Sequence, residues 1–208
     1  MGFSIPRLYA IIDPAHTVPP RGIAAVLDDL LSAGVKLIQY RDKQASSREL
    51  FQNSSEMASR VQQANGIFIV NDRADIARAV DADGVHLGQE DLPVELARRV
   101  LNPGKCVGYS THNLAQVMEA DKSSADYVAF GPIFPTRSKE RPDAVVGLEG
   151  LRQAREATRK PLVAIGGMTV ENACAAIDAG ADSVAVISDL IGAADIGSRA
   201  REYLREIL

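Results

Sequence analysis

Eight times along this 208-residue chain a short apolar run, often β-branched, gives way to a longer stretch with helical periodicity, and no other feature constrains the fold as much. The runs predict strands at 8–12, 36–40, 67–70, 84–87, 106–108, 127–130, 162–165 and 183–187. The stretches between and after them predict helices at 23–32, 47–63, 73–80, 94–101, 114–120, 148–158, 170–179 and 195–207. Eight βα units in unbroken succession describe a (β/α)8 barrel, and the length lies at the small end of its range. A flavodoxin-like or other doubly wound sheet is the alternative, but it would use fewer units. The joints agree with this pattern. Ser46, Asn113 and Thr169 stand where helices need N-caps, and Gly34 and Gly180 lie just past helix ends, where the chain often turns left-handed.

The 46% hydrophobic content suffices for one core, whereas two domains would each be near the lower size limit, so 1–208 reads as a single domain. A net charge of -4 with Lys and Arg scattered along the chain excludes a broad nucleic-acid face but allows a local anion pocket. Cys106 and Cys174 are too few and too distant for a disulfide framework or a Cys-rich zinc site, which fits a reducing cytoplasm. Three scattered histidines give no zinc spacing. No run has the length of a membrane span, and residues 1–7 lack the apolar core of a signal peptide.

In a barrel of this kind chemistry gathers at the carboxyl ends of the strands. After the second strand, the segment 39–43 puts Gln39, Arg41 and Lys43 on one face, with Tyr40 and Asp42 on the other. Two same-facing cations at the end of a buried strand need anions, supplied either by a polyanionic ligand such as a pyrophosphate or by internal ion pairs with nearby acids. The third strand leads to Asn71 and Asp72, the fourth to His86 and Asp91, and the fifth to Ser110 and His112. The sixth opens into 131–139, and with Pro132, Pro135 and Pro142 the segment 131–147 is long enough for a lid. Gly166 and Gly167 follow the seventh strand and Ser188 the eighth, where barrels build phosphate sites from backbone N–H groups; a tight turn is the competing reason for the glycines. Asp72 and Asp91 are candidate Mg2+ ligands, hard oxygen donors from adjacent strands, with helix capping as the competing role. His112 reads as a base or as a packing residue at a helix start, and His86 as a structural group at a strand end.

Taken in order, Q-Y-R-D-K at 39–43, V-N-D-R at 70–73, G-V-H-L-G-Q-E-D-L at 84–92, G-P-I-F-P-T-R-S-K at 131–139 and A-I-G-G-M at 164–168 resemble the thiamine-phosphate synthase family, also called thiamine-phosphate pyrophosphorylase. The resemblance runs from the segment 8–13 to 186–188. It implies Mg2+-dependent transfer of a 4-amino-2-methylpyrimidin-5-ylmethyl group from its diphosphate to the nitrogen of a thiazole phosphate, giving thiamine phosphate and diphosphate. Carried over residue by residue, it implies diphosphate and pyrimidine contacts at Gln39, Tyr40, Arg41, Asp42, Lys43, Asn71, Ser110 and Lys139, and metal ligands at Asp72 and Asp91. It implies thiazole phosphate contacts at Thr136, Ser138, Gly167, Ile187 and Ser188, with Arg137 in the same loop. Arg41, Lys43, Ser110 and Lys139 form the catalytic set on this reading. Tyr40 stands where an aliphatic residue is frequent, and Ser138 where threonine is usual, a change that keeps the hydroxyl.

Two other functions are compatible with the same barrel. A thiazole tautomerase would keep a phosphate pocket and use a histidine such as His112, without needing Asn71, Asp72, Asp91 or the 39–43 run. A non-catalytic ligand-binding paralogue would keep the residues without turnover. The expected partners are the two small phosphorylated substrates, with symmetric self-association into a homodimer the common pattern for a soluble enzyme.

Overall fold

The computed structural model describes residues 4–17, 21–136 and 143–207. Its strands and helices alternate as β1 (Leu8–Ile12), α1 (Ile23–Ser32), β2 (Leu37–Tyr40), α2 (Ser47–Gln63), β3 (Ile67–Asn71), α3 (Ala74–Ala79), β4 (Gly84–Leu87) and α4 (Val94–Val100). The order continues with β5 (Cys106–Thr111), α5 (Leu114–Lys122), β6 (Tyr127–Phe130), α6 (Gly147–Ala157), β7 (Leu162–Ile165), α7 (Val170–Asp178), β8 (Ser183–Val186), α8 (Ser188–Ile191) and α9 (Ile196–Ile207). Each strand pairs in parallel with its sequence neighbours, and β8 closes on β1 through Leu8–Val184 and Ala10–Val186. The fold is therefore the (β/α)8 barrel. A doubly wound sheet is excluded because no strand edge remains.

Strand alternation divides the buried side chains into two cores. Tyr9, Ile11, Leu37, Ile69, Cys106, Tyr127 and Val163 fill the barrel interior. Leu8, Ile12, Ile38, Phe68, Val70, Val128 and Val184 point outward against the helices. Burying each large side chain of this kind contributes about 1.5–3 kcal/mol. The Tyr127 ring occupies space left by Gly108, where an added Cβ would lie 2.0 Å from that ring. Burial pushes the Cys106 thiol up to about 12, so this cysteine is an inert filler of the interior.

The joints follow local rules. Ser46 caps α2 in a capping box with Glu49, and the Asn113 carboxamide accepts from the Gln116 N–H at 3.0 Å. At the start of α7 the Asn172 side chain accepts from the Thr169 N–H at 2.9 Å. Gly34 and Gly180 both turn left-handed, at φ +94° and +106°, and at each joint the N–H groups of the glycine and of the residue after it donate back into the helix in the same pattern. β5 runs three residues beyond the stretch its sequence predicts, because Ser110 and Thr111 continue the ladder opposite Ala129 and Phe130. The short α8 and a 3-10 turn at Pro14–His16 have no counterpart in the periodicity.

At the amino-terminal end of the barrel, three aspartates staple neighbouring strands. Asp83, Asp126 and Asp182 immediately precede β4, β6 and β8. Their carboxylates accept from the N–H groups of Phe68, Val107 and Leu162 at 2.8, 2.7 and 2.8 Å. Their own N–H groups donate to the carbonyls of the same three residues. Arg98 and Arg155 add ion pairs to Asp126 and Asp182 at 2.5 and 2.7 Å.

Candidate active site at the carboxyl mouth

The inward register carries polar side chains upward from the middle of the barrel. Tyr9 and Tyr127 meet hydroxyl to hydroxyl at 2.9 Å, with their rings edge to face. Gln39 Nε2 donates to the Tyr9 hydroxyl at 2.6 Å. On the other side the Tyr127 hydroxyl bonds His86 Nδ1 at 3.0 Å, and His86 Nε2 bonds Ser110 Oγ at 2.8 Å. A continuous hydrogen-bonded chain therefore runs from Gln39 through the buried floor to Ser110. Burial pushes both phenols well above their ordinary range, so they stay protonated and act as neutral donors and acceptors. His86 is buried, as its strand-end position suggests, and it connects floor and rim.

Above this floor opens a cavity of ≈ 570 Å³. Of the residues singled out from sequence, Gln39, Arg41, Lys43, Asn71, Asp72, Asp91, Ser110, Thr136, Gly167, Ile187 and Ser188 all line it. Tyr40 and Asp42 do not. Tyr40 is fully buried in the outer layer, where Asn53 Nδ2 donates to its hydroxyl at 2.9 Å. Asp42 turns back on its own loop, accepting from the Gln44 and Ala45 N–H groups at 3.0 Å. Tyr40 and Asp42, which the resemblance offers as substrate contacts, therefore face away from the cavity, for the strand alternation that aims Gln39 and Arg41 inward aims these two outward. Arg137, Ser138 and Lys139 lie outside the described residues.

Both cations of the 39–43 run have acidic partners in this state. Arg41 Nη1 donates to Asp13 and Lys43 Nζ to Asp72. The first acid is buried; the Lys43 pair is open to solvent. Asp72 and Asp91 come from adjacent loops and their carboxylates face each other. Burial, reinforced by the Asp72 carboxylate, holds the Asp91 carboxyl above its ordinary range. Neither carboxylate caps a helix. α3 starts from Arg73 and α4 from Pro93, both without a side-chain cap, and Asp91 Oδ2 accepts instead from the Gly88 N–H at 2.7 Å. Asp72 sits at φ +61°, a left-handed backbone costing a non-glycine residue roughly 1 kcal/mol. Asp72 and Asp91 are adjacent hard oxygen donors at the mouth, and among the described residues no group of three or more His, Cys, Asp or Glu side chains is placed to hold a metal ion.

Opposite the acids, Gly166 and Gly167 adopt φ +94° and +64°. A Cβ on Gly167 would lie 2.5 Å from the Pro135 carbonyl oxygen, so the glycine also permits the 131–136 loop to lie against the end of β7. That loop is held there by Ile133 N–H to Ile165 O at 2.9 Å and Phe134 N–H to Gly166 O at 3.1 Å. His112 Nδ1 donates to the Gly131 carbonyl at 2.8 Å, and its own N–H donates to Gln116, which ties it to the start of α5. Tyr9, Tyr127 and Asp13 are among the polar groups that the motifs left unassigned. The first two show in the sequence only as hydroxyls at inward strand positions, and their partnership spans 118 residues.

A closed (β/α)8 barrel whose charged side chains converge on one cavity at the carboxyl mouth defines a barrel enzyme. The family model for thiamine monophosphate synthase matches residues 8–190, and the chain belongs to that family. It is 49% identical over 207 residues to the thiamine-phosphate synthase of Koribacter versatilis, an alignment covering 98% of this chain and 97% of that relative. The thiamine-phosphate synthase of Chloroflexus aurantiacus is 43% identical, with 94% and 90% covered. Among solved structures, the thiamine phosphate pyrophosphorylase of Pyrococcus furiosus superposes with a TM-score of 0.87 at 36% identity, covering 97% of this chain and 95% of that one. These relatives are transferases of thiamine biosynthesis, and the chain is a transferase of the same kind.

Proposed function

We propose that the mouth joins 4-amino-2-methyl-5-(diphosphooxymethyl)pyrimidine to a thiazole phosphate, releasing diphosphate and forming thiamine phosphate. One observation carries this reading beyond the family name. The facing carboxylates of Asp72 and Asp91 and the cations Arg41 and Lys43 occupy one side of the cavity, while the loops of Gly167 and Ser188 occupy the other. Two separate anion sites suit two phosphorylated substrates.

The pair Asp72 and Asp91 fits Mg2+, which favours one or two carboxylates combined with substrate phosphates. Bound there, the cation would supply neutralisation of the leaving diphosphate. The Asp91 carboxyl, desolvated and set against Asp72, is a donor that a divalent cation would relieve. Arg41 binds the same diphosphate, and the exposed Lys43 exchanges its partner Asp72 for a phosphate oxygen. Lys139 is assigned to the same leaving group from its motif alone.

Departure of diphosphate from a carbon attached to an electron-rich aminopyrimidine places positive charge on that carbon, so stabilising the leaving anion is the principal task. The thiazole nitrogen is already nucleophilic. No general base is needed, and positioning supplies the other large contribution. Gln39 and Ser110, fixed at the two ends of the floor chain, hold the pyrimidine, and Ser110 acts as a hydrogen-bonding group, not as a nucleophile. The backbone at Gly167 and the end of β8 at Ile187 and Ser188 hold the thiazole phosphate, with Thr136 brought alongside by the docked 131–136 loop. The free thiols Cys106 and Cys174 support a cytoplasmic location, and among the described residues no helix is long and apolar enough to cross a membrane.

Incubating the purified chain with both substrates and Mg2+ and separating the products tests the proposal. Thiamine phosphate should form together with one equivalent of diphosphate. Tautomerisation of a thiazole phosphate without condensation would replace this reading by that of an isomerase.

A further inference from the structure

We propose that Asp13 is a positioning residue that sets the guanidinium of Arg41 for diphosphate before the substrate arrives; the inference rests on the placement of the diphosphate at Arg41. Asp13 lies just past the end of β1, after the inward residues Tyr9 and Ile11, and is 2% exposed. It does not line the cavity, whereas Arg41, directly in front of it, does. Its two oxygens have separate tasks. Oδ1 accepts from the Ala15 N–H at 3.0 Å, which fixes the carboxylate on the 3-10 turn, and Oδ2 accepts from Arg41 Nη1. His16 Nδ1 stands 3.6 Å from the same Oδ2. The Arg41 backbone is held from the same strand, its N–H donating to the Ile12 carbonyl at 2.9 Å.

A guanidinium has five N–H donors in a rigid plane. Only one of them is spent on Asp13, and no further hydrogen bond from this side chain forms among the described residues. The remaining edge is therefore free for a ligand while the plane is already oriented. The neighbouring cation is held differently. Lys43 is 55% exposed and its partner Asp72 is at the metal-candidate pair, so that contact is screened and exchangeable. Breaking the Arg41 pair would instead leave a buried carboxylate uncompensated, which favours keeping the pair during turnover. One strand end thus carries a fixed cation and an adjustable one.

The test uses inorganic diphosphate with Mg2+ as the probe, titrated calorimetrically into wild type, Asp13→Asn, Arg41→Gln and the double variant, with KM for the thiazole phosphate as the control. If Asp13 acts through Arg41, each single change weakens diphosphate binding by about 10- to 100-fold and the double variant is no weaker than Arg41→Gln alone. KM for the thiazole phosphate stays unchanged, which a general structural role of Asp13 would not produce. Loss in Arg41→Gln with wild-type binding in Asp13→Asn overturns the role of Asp13 and leaves the diphosphate site standing. Losses that multiply in the double variant also overturn it. Wild-type binding in Arg41→Gln overturns the diphosphate placement itself, and the role of Asp13 with it. Should Asp13→Asn fail to fold, guanidinium NMR of the wild-type free enzyme decides: slow rotation about the Arg41 Cζ bonds supports the proposal, and rotation as fast as in exposed arginines contradicts it.

Discussion

The two ends of the barrel treat their carboxylates in opposite ways. At the amino-terminal end, Asp83, Asp126 and Asp182 each accept from the N–H of the preceding strand, and the last two also meet a guanidinium. At the carboxyl mouth, Asp72 and Asp91 face each other, and the exposed ammonium of Lys43 pairs with Asp72. The first arrangement closes a ladder and leaves no charge for a ligand. The second leaves charge that the protein alone does not neutralise.

The largest effect is expected at the mouth from Arg41→Gln, which keeps a donor for Asp13 but removes the cation. Loss of transition-state stabilisation by roughly 2–4 kcal/mol should appear in kcat/KM for the pyrimidine diphosphate, with the fold intact by circular dichroism. Near-normal turnover would place the leaving group elsewhere. At the amino-terminal end, Asp126→Ala should do the reverse. It strips Val107 N–H of its carboxylate acceptor and Arg98 of its ion pair, and should lower unfolding free energy by about 1–3 kcal/mol, leaving kcat per folded molecule unchanged. A change in turnover without a change in urea midpoint would erase the division between the two ends.

Gly167→Val tests the opposite side of the mouth. The new side chain meets Pro135 and Phe134, so it should raise KM for the thiazole phosphate by on the order of 10-fold while altering that for the diphosphate less. Equal losses for both substrates would indicate a general collapse of the rim.

The smallest effect is the most diagnostic of the comparison. Burial and the facing Asp72 raise the Asp91 carboxyl above its unfolded value, so the folded state keeps this proton longer. Its contribution to stability is full below the unfolded carboxylate range and is lost as pH rises through the raised folded value. Metal-free Asp91→Asn should therefore be more stable than wild type at about pH 7, by under ~1 kcal/mol, with the gain fading towards about pH 4. Urea unfolding in chelator at the two pH values reads this directly. A destabilised variant at neutral pH would mean that Asp91 is a structural acid like Asp126.

Much of this was legible in the sequence because strands and helices announce themselves by period. The eight units, the capped joints at Ser46 and Asn113, and the inward set Gln39, Arg41 and Lys43 all follow from local pattern. The amino-terminal staples also had a signal, the recurrence Ala-Asp-x-Val at 82–85, 125–128 and 181–184, which marks β4, β6 and β8. What local pattern does not carry is partnership across the barrel. The Tyr9–Tyr127 contact, the Asp13–Arg41 pair and the docking of 131–136 against Gly167 join residues far apart in the chain, and only closure of the barrel brings them together. Local pattern likewise does not tell whether Asp72 and Asp91 cap the helices that follow them, and α3 and α4 start without a side-chain cap.

The most direct test of the mouth as a metal-assisted diphosphate site is the initial rate of thiamine phosphate formation across a Mg2+ titration, for wild type, Asp72→Asn, Asp91→Asn and the double variant, with chelated wild type as the zero-metal reference. The chelated enzyme should be silent, each single variant should fall by about 100-fold or more, and the double variant should lose less than the product of the two. Wild-type turnover persisting in chelator, together with mild losses in both Asn variants, would contradict the account.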